Sequence, residues 1–348
     1  MSARSSMAGP FIVSLDIGSS SVRALLFDSG AKQVEGFGAR LAYQASSTPD
    51  GGVEIDPEHL AGMVVDCLDK LHRQVQNAGL KIAAAGSCAF WHSFLGVDQN
   101  GRSTLPLLHL LDTRSAAEAA RVPDSHSRTG CVPHTSYWPS KLLWLAKNRS
   151  TQFNATRQWI SFPEFLFLKF FGRAEVSTSM ASGSGLWDQN ANDYDQETLA
   201  AIRLDRATLA HPDEMDRAAR ELLPEFRKLW PAFDGIPWFP SLGDGACDNI
   251  GSGATSTAKF ALMVGTTGAI RAIVEAPKIE IDPQLWCYRV DRKRFVTGGA
   301  LSNGGDVYAW IKRTLALPED VEARLESAEP GNHGLTLLPF FSGERSPY

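Results

Sequence analysis

The sequence contains few cysteines, and their arrangement argues against two common kinds of cross-link. There are five in 348 residues, an odd number with no C-x-x-C pair. They are widely spaced, at Cys67, Cys88, Cys131, Cys247 and Cys287. This pattern disfavours a disulfide framework and a structural zinc site, and it is typical of thiols in a reducing compartment. We therefore expect a cytoplasmic protein.

The sequence also lacks a strong charge excess and long apolar runs. The net charge is −5 and no Lys/Arg-rich run stands out, which disfavours nucleic-acid and acidic-membrane partners. No apolar run approaches the ~20 residues that span a bilayer. The opening segment MSARSSMAGP has no apolar core of the kind that a secretory signal needs. We expect residues 1–10 to form a disordered tail, and we expect neither a membrane nor a nucleic-acid partner.

Two common nucleotide-binding signatures are missing as well. The P-loop pattern G-x-x-x-x-G-K-[ST] does not occur. No G-x-G-x-x-G follows the first predicted strand, which argues against a Rossmann dinucleotide site. Any nucleotide is therefore expected to bind in another way.

What the sequence does contain is one motif that occurs twice. Residues 11–28 read FIVSLDIGSSSVRALLFD, and residues 259–275 read KFALMVGTTGAIRAIVE. Each copy is an apolar strand, a tight turn of Gly and hydroxyl residues, and a second apolar strand. The outward N–H groups of such a turn form a nest for phosphate, so two opposed nests would hold one polyphosphate from both sides. Each copy taken alone is also compatible with an ordinary β-hairpin.

The two turns supply the candidate phosphate-binding residues. They are Gly18, Ser19, Ser20, Ser21 and Arg23 in the first copy, and Gly265, Thr266, Thr267 and Gly268 in the second. Asp16 precedes the first turn, whereas Met263 stands at the matching place in the second. One carboxylate on one side suits a bound Mg²⁺.

Hydrophobic periodicity predicts a mixture of helices and strands. Asp56 and Pro57 open a helix with one apolar face, and Gly79 closes it. Further strands are predicted at 34–43, 82–86 and 94–97, further helices at 141–147, 164–171 and 306–317, and helices on the outside of the protein along the charged stretch 188–230.

The length of the chain predicts two domains, because it exceeds that of one typical domain. The segment GSGATSTA, near 250–258, is interpreted as a hinge. We predict an N-terminal domain at 11–255 and a partial C-terminal domain at 256–348.

Asp244 is the candidate general base. It lies in LGDGA, between a predicted strand and a predicted helix start, and the flanking glycines would let a ligand approach closely. The Gly-Asp-Gly triplet within this segment is also compatible with a surface turn, or with Asp244 as a helix N-cap. Asp248 is a competitor one turn later, and we expect it to be a capping or outer residue.

Three polar stretches are candidates for sugar contacts. They are Trp91-His92 after a buried strand, Asp112-Thr113-Arg114 after an apolar run, and the HTSY loop that ends at Tyr137. An Arg and an Asp at strand ends can hold hydroxyls or a carboxylate. The alternative interpretation is structural: Trp91 fills core space, Asp112 caps a helix that begins at Ser115, and Arg114 lies on the surface.

Taken together, these pieces resemble the FGGY-type carbohydrate kinases, a branch of the actin/hexokinase/Hsp70 ATPase superfamily. The resemblance runs from Phe11 to Tyr348. Matching pieces include DIGSSSVRALLFD at 16–28, FWHSFLGVD at 90–98, LLDTRSAAEA at 110–119, LGDGACDNIGSG at 242–253, VGTTGAIRAIV at 264–274 and LPFFSGERSPY at 338–348. Within these pieces, the segments D-T-R-S and F-W-H-S are most similar to those of the gluconokinase branch.

The resemblance implies an α/β fold of two duplicated ribonuclease-H-like domains with a cleft between them, the second domain being incomplete. Sugar would lie mainly against the first domain and ATP mainly against the second. It implies Asp244 as the general base, with Asp16 and Asp244 near the Mg²⁺. It also implies that His92, Asp112 and Arg114 face the sugar, together with Trp91 and Tyr137, and that Gly305 approaches the nucleotide.

Three departures from the family pattern matter. Leu110 stands where several relatives carry an aromatic residue against the sugar. Asp248 adds a carboxylate where close relatives often have a small residue. Family members also continue beyond S-G-E-R-S-P with a Gly-Gly turn that holds the adenosine, so we expect this chain to bind ATP poorly.

We therefore expect ATP- and Mg²⁺-dependent phosphorylation of the terminal hydroxyl of a sugar or sugar acid. D-gluconate, giving 6-phosphogluconate, is the first choice. Another sugar or polyol such as xylulose, a truncated non-catalytic sugar-binding relative, and an actin-like assembly protein remain open. The expected partners are the sugar and ATP, and a homodimer also remains open.

Overall fold

The structure is a computed structural model, which describes residues 9–212, 218–265, 268–301, 303–331 and 334–337. The strands are β1 (Phe11–Ile17), β2 (Ser21–Phe27), β3 (Gln33–Ala42), β4 (Ser46–Ser47), β5 (Val53–Ile55), β6 (Ile82–Ala89), β7 (Leu95–Val97), β8 (Leu107–Leu108), β9 (Gln158–Ile160), β10 (Trp187–Asp188), β11 (Asp193–Tyr194), β12 (Leu242–Gly243), β13 (Ala261–Val264), β14 (Gly268–Glu275), β15 (Trp286–Arg289) and β16 (Arg294–Leu301). The helices are α1 (Pro57–Ala78), α2 (Ala116–Ala119), α3 (His126–Thr129), α4 (Trp138–Asn148), α5 (Ser150–Ala155), α6 (Phe162–Phe171), α7 (Thr178–Ser182), α8 (Gln196–Ala201), α9 (Pro224–Leu229), α10 (Asp244–Gly251), α11 (Gly305–Thr314) and α12 (Val321–Ser327).

A five-stranded mixed sheet forms the centre of the N-terminal part, in the order β12-β6-β1-β2-β3. β1 and β2 form the antiparallel hairpin that the sequence predicts. β6 runs parallel to β1, which sets Cys88 beside Asp16, and β12 runs parallel to β6 and ends at Gly243. The carboxyl ends of β1, β6 and β12 therefore meet at one edge, the place where open α/β sheets bind ligands.

Helix α1 packs against β2 and β3. The Asp56 side chain accepts hydrogen bonds from the first-turn N–H groups of Glu58 and His59, and Gly79 ends the helix in the left-handed region with φ 65°. The apolar face predicted from the sequence is buried, with Leu60 and Leu68 fully enclosed. The predicted helix and both of its ends are thus confirmed.

A second, four-stranded antiparallel sheet has the order β13-β14-β16-β15. The predicted second hairpin is confirmed as β13 and β14. One side of this hairpin presents apolar side chains to solvent, with Leu262 and Val264 both 71% exposed. On the far edge of the sheet, β15 contacts α3 and α7 of the N-terminal part.

Three predicted elements differ from the structure. The strand predicted at 82–86 continues to Ala89, and the helix predicted at 306–317 ends at Thr314, before Pro318. Over 188–230, the described residues contain the end of β10, the short strand β11, the short helices α8 and α9 and a 3₁₀ turn at Arg206–Thr208 instead of extended helices. The physical reason is that capping side chains and prolines begin a new short helix every few residues. Asp195 caps α8, and Asp205 caps the 3₁₀ turn.

Within the described residues, none of the helices combines the length and the apolar character needed to cross a bilayer.

Candidate functional site

The first Gly/Ser turn joins β1 to β2 at the ligand-binding edge of the sheet. The Gly18 N–H donates to the Ser21 carbonyl at 3.0 Å, and the Tyr43 hydroxyl donates to the Gly18 carbonyl at 2.7 Å. Ser19 and Ser20 are exposed at the tip. The turn is thus held from behind and presents its tip to solvent.

Asp16 lies just before this turn. It pairs with Arg23 across the hairpin, and their side chains form an ion pair of 2.7 Å. The Asp16 side chain retains 23% exposure. Solvent, and therefore a metal ion, has access to this carboxylate.

The second turn lies between β13 and β14, and Gly265 and Gly268 flank it. Thr266 and Thr267, which were predicted at its tip, lie outside the described residues. Helix α11 begins beside the turn, because the Gly305 N–H donates to the Gly265 carbonyl at 2.7 Å. A Cβ atom at Gly305 would come within 2.8 Å of that same oxygen, so the approach requires glycine.

Asp244 is the first residue of α10 and directly follows β12. The glycines on both sides of it are packed against the indole of Trp91: a Cβ at Gly243 would overlap the ring, and one at Gly245 would lie 2.9 Å from it. The Trp91 Nε1–H donates to the Ser179 carbonyl at 2.9 Å, which holds the ring in place. The sequence predicts that these glycines let a ligand approach closely. In the structure they make room for Trp91, which supports the loop from behind.

The environment of the Asp244 carboxyl makes it more basic than an ordinary aspartate. Water reaches it, yet the surrounding protein atoms desolvate it enough to raise its pKa to about 6. A hydrogen bond from the Gly245 N–H at 2.7 Å and the charge of Arg271 oppose this rise, whereas the charge of Asp16 adds to it. Because a pKa of about 6 lies below neutral pH, Asp244 is mostly ionised at pH 7.

Arg271 is a residue near this site that the sequence analysis did not select. It lies on β14 and reaches α10, where its Nη1 forms an ion pair with Asp248 Oδ2 at 2.7 Å and its carbonyl accepts from Asn249 Nδ2 at 3.2 Å. Asp248 is half exposed, in agreement with its expected position outside the immediate site. The available signal was the Arg that follows the second turn much as Arg23 follows the first.

Two cysteines lie at the same edge. The Cys88 Sγ is 3.5 Å from Asp16 Oδ1, and Cys88 and Cys247 are in hydrogen-bond contact. This contact raises the pKa of the Cys88 thiol and lowers the pKa of the Cys247 thiol. Their positions in the sequence indicate only a reducing compartment.

An aromatic cluster adjoins the Trp91 ring. His92 has a φ of 71°, and its Nδ1 lies 2.6 Å from the Gly183 carbonyl; because a carbonyl oxygen only accepts, Nδ1 carries the proton. The rings of Tyr137 and Tyr288 lie 5.1 and 5.4 Å from the His92 ring, and their hydroxyls are hydrogen-bonded at 2.7 Å. Three predicted sugar-binding residues therefore lie together. Tyr288, from the second sheet, was missed because a lone tyrosine on a strand carries no signal.

Asp112 and Arg114 form a separate, enclosed cluster. Their side chains are 2% and 4% exposed, and Arg114 Nη2 contacts Asp112 Oδ2 and Glu54 Oε1, both at 2.6 Å. The guanidinium also lies over the Trp144 ring, and Asp112 accepts from the Val53 N–H. The structural alternative was wrong for both residues, because Arg114 is not on the surface and Asp112 does not cap a helix.

The residues at this edge fit a divalent metal ion bound to a nucleotide. In the described ranges no three His, Cys, Asp or Glu side chains form a ready-made metal cluster. Mg²⁺ is commonly held by only one or two carboxylates together with substrate phosphates and water. Asp16 and Asp244 supply two carboxylates, close enough for the charge of Asp16 to act on Asp244.

Comparison with known proteins agrees with this geometry. Residues 11–251 match the model for the N-terminal domain of the FGGY family of carbohydrate kinases. A gluconokinase from Bacillus subtilis is 26% identical and a xylulose kinase from Streptomyces rubiginosus is 28% identical, over 97% and 99% of this chain and 69% of each relative. The crystal structure of a gluconate kinase from Lactobacillus acidophilus matches with a TM-score of 0.87 at 26% identity, over 97% of this chain and 70% of that one.

These matches confirm the predicted fold class, an α/β fold of the actin/hexokinase type, which FGGY kinases build from two domains. The matched family covers more than two thirds of the chain. The chain therefore belongs to the FGGY family of carbohydrate kinases, enzymes that phosphorylate a sugar with ATP and a divalent metal ion.

Proposed function

We propose that this chain phosphorylates the terminal hydroxyl of D-gluconate with ATP and Mg²⁺, giving 6-phosphogluconate. The main support is the position of Asp244: it opens α10 directly after β12, at the edge of the sheet where β1 carries Asp16, and a Cβ at the next residue, Gly245, would lie 3.1 Å from Arg271 Nε. A carboxylate between a metal-binding group and a guanidinium suits phosphoryl transfer, which depends mostly on positioning and charge stabilisation. The names of the gluconokinase relatives support the choice of sugar acid.

Asp244 would accept the proton of the attacking hydroxyl. A loose transition state requires little base strength, and a pKa of about 6 supplies more than an ordinary aspartate has. Asp16 and Asp244 would hold the Mg²⁺, which when bound neutralises charge on the transferring phosphoryl group. Arg271 would add a positive charge beside the same carboxylate.

The phosphates would lie against the two turns. In the first, Gly18 to Ser21 and Arg23 would contact them; in the second, Gly265 to Gly268 would do so, with Gly305 close by. The N-terminus of α11 adjoins the second turn and favours negative charge there.

The sugar would lie against His92, with Trp91 and Tyr137 beside it. We keep Asp112 and Arg114 in the sugar-binding set, since their mutual ion pair holds both side chains in one geometry. In this arrangement residues 11–255 would form the sugar-binding domain and residues 256–348 part of the nucleotide-binding domain.

We also propose a cytoplasmic location, because none of the five cysteines, all within the described ranges, forms a disulfide. A homodimer stays a prediction.

Xylulose is the second candidate substrate. Xylulose kinases from Streptomyces are 27 to 28% identical to this chain, about as similar as the gluconokinases.

A substrate panel with coupled detection of ADP tests the proposal. We expect D-gluconate to give the highest kcat/KM, with D-xylulose, glycerol and D-glucose as comparison substrates and omission of Mg²⁺ as the control. A higher kcat/KM for D-xylulose than for D-gluconate would make D-xylulose the substrate in place of D-gluconate. No ADP release with any sugar would contradict the proposed activity.

A further inference from the structure

Cys88 and Cys247 form a pair of thiols at the ligand-binding edge of the sheet, although 159 positions separate them in the sequence. Cys88 lies near the end of β6, and β12 pairs with β6 so that Leu242 stands opposite Cys88. The chain then enters α10, whose first turn carries Cys247 back over β6. The two sulfurs consequently come into hydrogen-bond contact.

Both thiols are half-buried, and the exposed Asp244 lies three residues before Cys247, so we expect a reagent as small as hydrogen peroxide to reach them. The other three cysteines are buried: Cys67, Cys131 and Cys287. Among the five cysteines, only Cys88 and Cys247 therefore combine partial exposure to solvent with contact to a second thiol. These are the two conditions that make a thiol pair selective for oxidation.

We propose that Cys88 and Cys247 are a site of reversible oxidation, at which a peroxide converts the two thiols into one disulfide. Nothing in the kinase reaction calls for thiols at this place, so the site is an addition to the proposed function. The disulfide itself does not depend on that function, whereas its effect on catalysis does.

The chemistry proceeds in two steps. The Cys247 sulfur attacks one peroxide oxygen; the O–O bond breaks, the leaving hydroxide takes up the Cys247 thiol proton to become water, and a sulfenic acid forms on Cys247. The Cys88 sulfur then attacks the sulfenic sulfur, the S–S bond forms, and the hydroxyl leaves as a second water with the Cys88 proton. Two thiols thus lose two electrons and two protons, and hydrogen peroxide is reduced to two waters.

The disulfide would alter the site beside it. It removes the proton of the Cys88 thiol, whose Sγ lies 3.5 Å from Asp16 Oδ1, and it ties β6 to the first turn of α10. Both carboxylates of the proposed metal site, Asp16 and Asp244, border this link. We therefore expect oxidation to lower phosphorylation at least about tenfold, and dithiothreitol to restore it.

Peptide mass spectrometry tests the site without any need for kinase activity. The chain is treated with hydrogen peroxide, remaining thiols are blocked with N-ethylmaleimide, and the digest is searched for linked peptides. We expect a peptide that links Cys88 to Cys247, lost after dithiothreitol and unchanged in Cys67→Ala, the matched buried control. In Cys88→Ser we expect the link to vanish and a dimedone adduct to form on Cys247.

Absence of the linked peptide in the unmutated chain, or a link to one of the buried cysteines instead, would overturn the proposed site. Because this result comes from the unmutated chain, it stands even if a variant fails to fold. If the link forms and kinase activity is unchanged, the effect on catalysis is wrong. If the chain phosphorylates no sugar in either state, the proposed function fails while the mass spectra still decide the oxidation site.

Discussion

The two hairpins share a local sequence pattern but differ in their surroundings. In the first, the strand before the turn is part of a central sheet and Leu15 is only 4% exposed. In the second, Leu262 occupies the matching place and is 71% exposed. The first hairpin is therefore a core element, whereas the second has an open apolar side.

The chemical equipment of the two hairpins differs as well. The first carries Asp16 before its turn and uses Arg23 to pair with it. The second carries Met263 at the place of Asp16, and its Arg271 reaches across to α10. A repeated motif thus specifies a repeated local shape, while one or two side chains beside the turn specify what each copy contributes.

Truncation at the matched leucines tests the difference in packing. We expect Leu15→Ala to lower the free energy of unfolding by about 2–5 kcal/mol, because it leaves a cavity in the core. Leu262→Ala should change it by no more than about 0.5 kcal/mol, because the side chain is already in water. Urea denaturation followed by circular dichroism measures both, and equal losses would contradict the asymmetry.

Substitution of the residue before each turn tests the difference in chemistry between the two hairpins. We expect Asp16→Asn to reduce kcat/KM on the order of 100-fold, or about 2.7 kcal/mol, because it removes a metal-binding charge. Met263→Leu, the matched change in the other hairpin, should leave activity within about twofold, since it keeps volume and apolarity. If both variants, with their folding verified, lost activity equally, the metal site would not be specific to the first hairpin.

The pH dependence of kcat/KM tests both hairpins at once. Asp16 of the first hairpin raises the pKa of Asp244, whereas Arg271 of the second lowers it. The pKa of Asp244 is raised to about 6 and the ionised form is the active one, so kcat/KM should fall about tenfold per pH unit below pH 6 and level off above it. The charge of Asp248 contributes to the raised pKa of Asp244. Asp248→Asn should therefore move the fall in kcat/KM to lower pH. A profile flat down to pH 4.5, with stability verified, would show that this carboxylate does not limit the reaction.

Local patterns in the sequence were enough to predict much of the fold. The alternation and Gly/hydroxyl turns of both hairpins, and the caps of α1 at Asp56 and Gly79, depend on neighbours a few residues away. The position of Asp244 between a strand and a helix start was predicted in the same way, and it is confirmed, since β12 ends at Gly243 and α10 begins at Asp244.

The features that were missed depend on contacts between distant parts of the chain. The Trp91 ring fills the space beside Gly243, 152 positions later, and Arg271 pairs with Asp248 across two elements. The burial of Arg114 depends on Glu54, on a separate strand. Periodicity and spacing within a segment carry no information about such partners, so only the folded structure reveals them.

The substitution Asp244→Asn tests whether Asp244, between the two hairpins, is the catalytic base. Phosphorylation of D-gluconate by ADP release and gluconate binding by calorimetry are measured in this variant and in Asp248→Asn, the matched control on the same helix. We predict that Asp244→Asn loses about 100- to 10,000-fold in kcat with gluconate affinity retained, while Asp248→Asn keeps most of its activity. Near-normal turnover by Asp244→Asn would contradict the account.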